Sequence, residues 1–258
     1  MRTFVLVAAL LAVPLAAAAS TAPTSAVFND SATGQTCGPG GQPGAADPVE
    51  NMLKNRVAMP ASTTATTVAE FRNLPVHDKS ARSTWTPQDL ATFKALEDVP
   101  VRIVGYLKGV KSEGAEATNC KFTDPNGVDF HSWLVDTADK DQDRSFSAVA
   151  EITPRWRQAN PWTLAALQKL VTDGAQVRIS GWRLFDYEHP EQLPANNTTN
   201  PTRSTLWEIH PITMIEVATQ AGWVELGAAT TPAAKTLLRA RPSNKPPVTT
   251  ETNTGEQP

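Results

Sequence analysis

Two short stretches of the sequence place side chains capable of chemistry at alternate positions. They are DFHSWL at 129–134 and LWEIHPIT at 206–213. Because successive side chains of a β-strand point to opposite faces, each stretch would present its ionisable groups on one face of a sheet. The side chains concerned are Asp129, His131, Trp133, Glu208 and His210. Imidazoles and carboxylates collected in this way can bind a metal ion, transfer protons or hydrogen-bond to a polar ligand.

Glu151 would join these groups if its strand lay between the other two. Neighbouring strands are about 4.8 Å apart, which is close enough for side chains on one face to share a patch. We therefore expect His131, Glu151 and His210 to converge on one side of the sheet. Pro211 could interrupt the patch, because proline cannot donate to the strand ladder and favours a local irregularity.

Two chemical uses of this patch are open. A divalent ion could be held by His131, Glu151, Glu208 and His210, although their spacing matches no standard metal motif. Alternatively, Glu151 and His131 could act as base and acid on an ester or phosphodiester. Arg155 and Arg157 would then clamp an anion. Either use would make the protein a hydrolase, so the sequence leaves open whether it is an enzyme.

Plain ligand binding is the function we expect, with no catalytic cofactor. Tyr106 and Trp133 offer stacking surfaces, which together with nearby cationic groups suit an oligosaccharide or single-stranded nucleic acid. The predicted ligand-binding residues are Arg102, Tyr106, Lys108, Asp129, His131, Trp133, Glu151, Arg155, Arg157, Glu208 and His210. A purely structural or protein-interaction role is the alternative, because the exposed face of an antiparallel strand is polar by default.

Periodic segments between residues 99 and 217 supply the elements that would position the patch. Three alternating stretches are followed by a helix over 161–173, which Asn160 would cap, and then by two further strands. The strand sequences are VPVRIVGYLKGVK, GVDFHSWLVDT, SFSAVAEIT, QVRISGWRLFD and STLWEIHPITMIEV, and GWVELG could add a short sixth. Phe146 should face inward at the start of the third strand.

This order of elements resembles the OB-fold, a five-stranded barrel whose helix lies between strands three and four. The resemblance covers about residues 99–217 and implies a mainly β protein whose ligand meets the outer face of strands one to three. The loop at 188–201, with His189, would lie where such barrels often bind ligands. The phrases EGAEATNC, DFHSWL, EITPRWR, VRISGW and LWEIHPIT are also similar to an uncharacterised family of exported bacterial proteins. That similarity implies a bacterial origin and no particular activity.

The charge balance argues against general DNA binding. The whole chain has a formal net charge of −3, and residues 99–217 contain 12 Lys and Arg against 15 Asp and Glu. Non-specific binding to nucleic acid depends mainly on neutralising phosphates with basic side chains. The partner is therefore expected to be a polar ligand of unknown identity.

The N-terminus has the pattern of a secretory signal peptide. Residues 1–19 combine Arg2, an apolar run and an alanine-rich cleavage site. We expect a periplasmic or secreted protein with no integral membrane segment after signal removal. In an oxidising compartment Cys37 and Cys120 could form a disulfide, and two free thiols are the alternative.

The remaining segments differ in composition from the barrel. Residues 20–48 are rich in Ala, Thr, Ser, Gly and Pro, which predicts disorder. Residues 49–98 are expected to form an extension with one helix, capped by Thr86. The OB-like barrel should span 99–227, and residues 228–258 should form a mostly disordered tail.

Overall fold

The computed structural model describes residues 20–77, 82–139 and 142–229. The predicted signal peptide at 1–19 and the part of the predicted tail beyond residue 229 lie outside the described residues. Within these described ranges, every helix falls short of the length or apolarity that crossing a bilayer requires.

The described residues form short β-strands and α-helices in an N-terminal region and longer strands after residue 99. The strands are β1 Phe28–Asn29, β2 Thr36–Cys37, β3 Thr64–Thr66, β4 Pro100–Ser112, β5 Phe130–Val135, β6 Ala148–Ile152, β7 Gln176–Phe185, β8 Trp207–Thr219 and β9 Gly222–Glu225. The α-helices are α1 Pro48–Lys54, α2 Val68–Phe71, α3 Pro87–Glu97, α4 Pro154–Ala159, α5 Leu164–Asp173 and α6 Leu226–Ala229.

Strands β4 to β8 close into a five-stranded barrel. β4 pairs antiparallel with β5 and β7, β5 with β6, and β7 with β8, while β6 and β8 pair in parallel. α5 lies between β6 and β7 in the chain. This arrangement confirms the predicted mainly β, OB-like class, and it places the third barrel strand between the second and the fifth, as expected.

Alternating apolar side chains of the barrel strands form the core. Val101, Ile103 and Leu107 of β4 are buried, as the period of two predicts. Leu167 and Leu170 of α5 join them in the same cluster. Full burial of each such side chain contributes about 1.5–3 kcal/mol to folding. Phe146 is a correction: it lies in a 3-10 turn before β6 and is 43% exposed.

The barrel helix begins later than predicted. Thr163 caps α5 by accepting a hydrogen bond from the backbone N–H of Ala166 at 3.2 Å. Asn160 is used elsewhere, since its side chain donates to the carbonyl oxygens of Thr21 and Trp156, each at 2.9 Å. Gly174 ends the helix with φ 57°, in the left-handed region that favours glycine.

A close approach between two barrel strands requires glycine at position 181. The register of β7 against β8 shifts around Gly181. A Cβ atom on this residue would lie 2.3 Å from the carbonyl oxygen of Pro211, so only glycine fits. The irregularity follows His210 and leaves the alternation of Glu208 and His210 intact.

The N-terminal region has more structure than the sequence predicted. Residues 20–48 are not disordered throughout, because β1 and β2 pair and Cys37 forms a disulfide with Cys120. Residues 49–98 contain α2 as well as the predicted helix α3, and most of α1. Short-range sequence signals missed these elements because long-range contacts with the barrel stabilise them.

Candidate functional site

The predicted ligand-binding face is divided between two environments. Four of its residues are half-exposed: Arg102, Tyr106, Lys108 and Arg157. The other seven are buried: Asp129, His131, Trp133, Glu151, Arg155, Glu208 and His210. An open face on the first three barrel strands was therefore the wrong expectation for most of these residues.

Residues 20–55 of the N-terminal region, which we call the cover, pack against part of this face and against the connector beside it. α1 packs against β8 and against the 3-10 turn Ala117–Asn119 in the β4–β5 connector. Thr118 donates to the side-chain oxygen of Asn51 at 2.7 Å, and Asn55 donates to the carbonyl oxygen of Thr118 at 2.9 Å. The cover is thus joined to the barrel connector by buried hydrogen bonds.

Arg155 ties the cover to the barrel. Its guanidinium donates to the carbonyl oxygens of Ala26, Cys37 and Gly38 at 2.7, 3.1 and 2.9 Å. Arg157 is engaged in the same way, with carbonyl oxygens that include that of Asn126 at 3.0 Å. The predicted anion clamp is therefore incorrect, because both side chains hold backbone oxygens of this chain.

Beneath the cover, the predicted convergence of three residues is confirmed. His131 Nδ1 lies 2.7 Å from Glu151 Oε1, and His210 Nδ1 lies 3.4 Å from Glu151 Oε2. β5, β6 and β8 bring the three together because His131 pairs in register with Glu151 and β8 lies on the far side of β6. Pro211 does not break the patch.

Three further carboxylates complete this group. Glu113 Oε1 lies 2.9 Å from His131 Nδ1, Glu208 Oε1 lies 3.1 Å from His210 Nδ1, and Asp129 Oδ2 lies 3.5 Å from His210 Nε2. We call the six residues the covered cluster: Glu113, Asp129, His131, Glu151, Glu208 and His210.

Glu113 escaped the sequence analysis because of a β-bulge. The register between β4 and β5 shifts between Leu107 and Gly109. Before the shift, the even-numbered residues of β4 face outward. After it, the odd-numbered Lys111 pairs in register with His131 and faces outward with it. Glu113 continues this outer set. A glycine in the strand was the only signal of the bulge, and a single strand glycine does not fix its position.

The charges of the covered cluster stabilise one another. Burial alone would lower the pKa of His131, but Glu113 and Glu151 outweigh it and raise that pKa to about 9. Glu208, Glu151 and Asp129 likewise outweigh burial and raise the pKa of His210 to about 9. Burial would raise the pKa of Glu151, but both histidines act against it and lower the value to about 2. At neutral pH, two imidazolium groups therefore flank one carboxylate.

A second layer of charge supports the covered cluster. Arg203 Nη2 donates to Glu208 Oε2 at 2.9 Å, and its Nη1 donates to Asp186 Oδ2 at 2.7 Å. Arg203 is 1% exposed, and its partners Asp186 and Glu208 are each 2% exposed, so the whole group is buried. Sequence reasoning missed Arg203 and Asp186, because they lie in or beside the irregular β7–β8 connector.

A surface cleft lies beside the covered cluster, between two barrel connectors. Its volume is about 370 Å³, and we call it the loop cleft. Its lining is Ala45, Ala46, Asp47, Glu50, Asn51 and Lys54 from α1 and the residues before it, residues 115–118 and Lys121 from the β4–β5 connector, and Glu188 and His189 from the β7–β8 connector. Lys54 Nζ lies 3.2 Å from Glu188 Oε2.

Glu116 connects the loop cleft to the covered cluster. It lines the cleft and is half-buried. Burial, together with the nearby charges of Glu151 and Asp129, raises its pKa to about 8. Charges of the covered cluster therefore act on a residue that lines the loop cleft. Glu116 stands in the quoted phrase EGAEATNC, but nothing in its spacing marked it as a site residue.

Three groups of described residues bring metal-ligating atoms within 4.8 Å of one another. They are Glu113, His131 and Glu151; Asp129, Glu151 and His210; and Glu50, Asp186 and Glu188. The third group already surrounds an ammonium ion, because Lys54 Nζ lies 3.4, 3.9 and 3.2 Å from its three members.

No protein-family model, no curated protein and no solved structure matches this chain. Its function therefore has to be inferred from the site itself, because a fold alone does not determine function.

Proposed function

We propose that this protein is a binding module for a hydroxyl-rich ligand of the oligosaccharide type, which it holds in the loop cleft. The observation that carries this proposal is the position of the cleft. It lies between the β4–β5 and β7–β8 connectors, the two loops with which OB barrels bind oligonucleotides and oligosaccharides. Its volume of about 370 Å³ is within the usual range for a ligand pocket.

The charge of the lining favours an oligosaccharide over a single-stranded nucleic acid. The acidic lining residues are Asp47, Glu50, Glu116 and Glu188, and the lysines are Lys54 and Lys121. Lys54 is already held by carboxylates of this chain. Phosphates would find little free cationic charge in this cleft, because Lys54 is already engaged and nucleic-acid binding depends on cationic side chains. Sugar hydroxyls, in contrast, can donate to carboxylates and accept from lysines.

The proposed site differs from the predicted one. Trp133 is buried, and the guanidinium of Arg144 lies 3.9 Å from its ring centroid, so this ring has no free face for stacking. The half-exposed predicted contacts Arg102, Tyr106 and Lys108 lie on β4, outside the lining of the loop cleft. The acid–base hydrolase alternative is less favoured, because His131 and Glu151 are covered and already paired with each other.

Calorimetric titration with neutral hexasaccharides and with an oligothymidylate tests the proposal. We expect a hexasaccharide to bind and the oligothymidylate not to bind. Glu188→Ala should weaken sugar binding about tenfold or more, because a hydrogen bond to a charged group contributes about 1.5–3 kcal/mol. Tyr106→Ala on β4 is the matched control and should leave the affinity unchanged. The opposite pattern, or tighter binding of the oligothymidylate, would refute the loop cleft as the site.

We also propose that the protein is exported to the periplasm or beyond. The pattern of residues 1–19 supports this, and the disulfide between Cys37 and Cys120 suits an oxidising compartment. N-terminal sequencing of the protein from a bacterial periplasmic fraction should give a mature chain that starts near Ser20. A chain that retains Met1 and stays in the cytoplasm would contradict export.

A further inference from the structure

The covered cluster contains buried polar atoms that lack hydrogen-bond partners. Among the described residues these atoms include Asp129 Oδ2 and His210 Nε2. Asp129 is 0% exposed and His210 is 1% exposed, so both side chains are enclosed by the protein. Buried polar groups are almost always paired, so two unpaired atoms in one place require an explanation.

The two unpaired atoms face each other at a distance that suits a shared ion. They are 3.5 Å apart, which is longer than a normal N–H···O hydrogen bond. Two ligands of a tetrahedral zinc ion, each about 2.1 Å from the metal, are themselves about 3.4 Å apart. Glu151 Oε2 lies 3.4 Å from Nδ1 of the same His210 ring, and one ligand atom from each of the three residues falls within 4.8 Å of the others.

We propose that Asp129, Glu151 and His210 bind one divalent transition-metal ion of the zinc class. One imidazole and two carboxylates are ordinary zinc ligands, and the two carboxylates balance the charge of the ion. On binding, the ion replaces the proton on Nε2 of the His210 imidazolium, and that proton is released to solvent. A ligating nitrogen and a dry environment disfavour calcium and magnesium, which prefer all-oxygen sites and retain water. This site is separate from the sugar site proposed in the loop cleft.

Neighbouring residues orient the ligands in the manner of known zinc sites. A zinc-bound histidine usually donates its second ring N–H to a carboxylate, which fixes the tautomer. His210 Nδ1 lies 3.1 Å from Glu208 Oε1, so that Nε2 is directed at Asp129. Asn119 donates to Asp129 Oδ1 at 2.9 Å and leaves Oδ2 for the ion. Arg203 in turn holds Glu208 at 2.9 Å.

The other candidate groups support a single ion per chain. In the Glu113–His131–Glu151 group, the same Nδ1 atom lies 2.9 and 2.7 Å from the two carboxylates, which are hydrogen-bond distances. In the Glu50–Asp186–Glu188 group, the ammonium of Lys54 already fills the space between the carboxylates. His131 Nε2 and Glu50 Oε1 also lack hydrogen-bond partners, but among these groups of described residues only Asp129–Glu151–His210 has two such atoms facing each other at a separation that suits a metal.

Titration of the full mature chain, made without a histidine tag and stripped with a chelator, tests this inference. Zinc chloride followed by calorimetry should give one ion per chain, and cobalt chloride should give the visible absorption of a low-coordinate cobalt site. Asp129→Asn keeps the shape of the ligand and should weaken zinc binding at least a hundredfold. Asp173→Asn, on the exposed end of α5, is the matched control and should bind zinc like the wild type.

A second variant guards against misfolding. Glu208→Gln retains both metal-binding carboxylates and His210, and it should weaken zinc binding about ten- to a hundredfold, because it alters only the orienting group. Near-ultraviolet circular dichroism checks that each variant is folded. Absence of zinc binding in the folded wild type, or wild-type affinity in folded Asp129→Asn, would overturn the inference. Sugar binding in the loop cleft is measured separately, so either proposal can fail alone.

Discussion

Two sides of the same barrel carry polar side chains at the same period but in different surroundings. On the side of β4, which we call the open side, Arg102, Tyr106 and Lys108 are half-exposed. On the side of β5, β6 and β8, the covered cluster lies under residues from the N-terminal region. Alternation predicts which way a side chain points relative to the core. It does not reveal whether another part of the chain lies over it.

This difference in burial changes how much each charged side chain contributes to the stability of the fold. An exposed ion pair contributes about 0–1 kcal/mol, because water and salt screen it. Removing one partner of a buried pair costs about 3–5 kcal/mol, because the other charge is left without compensation. The two sides should therefore respond very differently to the same kind of substitution, and this can be measured.

The largest effect should come from releasing the cover. Cys37 and Cys120 are 83 residues apart in the chain. In the chain-entropy model, the disulfide that closes a loop of this size stabilises the fold by about 4–5 kcal/mol. Urea denaturation of the Cys37→Ala, Cys120→Ala double variant should show a loss of that size. The reduced wild type should match the double variant. A loss below about 1 kcal/mol would mean that the cover is held by its other contacts alone.

Arg203→Ala should cause the next largest loss. It leaves Asp186 and Glu208 buried without their common partner, which predicts a decrease of about 3–5 kcal/mol in the free energy of unfolding. Lys169→Ala removes an exposed ion pair with Asp173 and serves as the control, with an expected change below about 0.5 kcal/mol. Similar losses in both variants would remove the contrast between buried and exposed charges.

The pH dependence of stability should also differ between buried and exposed carboxylates. Burial would raise the pKa of Asp186, but Lys54 and Arg203 lower it well below its usual value. A carboxyl with a lowered folded-state pKa contributes stability above its unfolded value of 3.8, and this is lost as the pH falls further. In Asp186→Asn, the free energy of unfolding should therefore fall by roughly 2–3 kcal/mol less than in the wild type as the pH is lowered into the acid range. Asp173→Asn, at an exposed position, should show the same fall as the wild type.

The smallest effect is expected on the open side. Arg102→Ala should change the free energy of unfolding by less than about 0.5 kcal/mol, as surface substitutions usually do. Urea denaturation against the wild type provides the measurement. A loss above about 2 kcal/mol would show that Arg102 makes a structural contribution comparable to that of the covered side, and the comparison would then fail.

The barrel was predictable because its signals are local. The alternation of Val101, Ile103 and Leu107 marked a strand, and Thr86 marked the start of a helix. The convergence of His131 with its neighbours followed from alternation and strand order together. These properties depend on residues close in sequence or on a topology that few folds share.

The environment of the site was not predictable, because it depends on contacts between distant segments. Residues 20–48 have few large apolar side chains, so their composition indicated disorder. Nothing local shows that Arg155 binds them, 117 to 129 residues away in the chain. Glu113 was missed because a bulge reversed the alternation of β4, and a bulge cannot be located from one glycine.

The hydrogen bonds of Arg155 have a consequence for mutational tolerance. Three of its contacts in the cover are backbone carbonyl oxygens, those of Ala26, Cys37 and Gly38. Every residue type carries such an oxygen, so this anchor depends on the path of the chain and hardly on its side chains. The exposed residues among 20–36 could therefore drift in sequence over evolution while the segment still docks in the same place, whereas Phe28 and Asp30 are buried. A saturation-mutagenesis survey should find the exposed positions permissive, and Phe28, Asp30 and Arg155 restrictive.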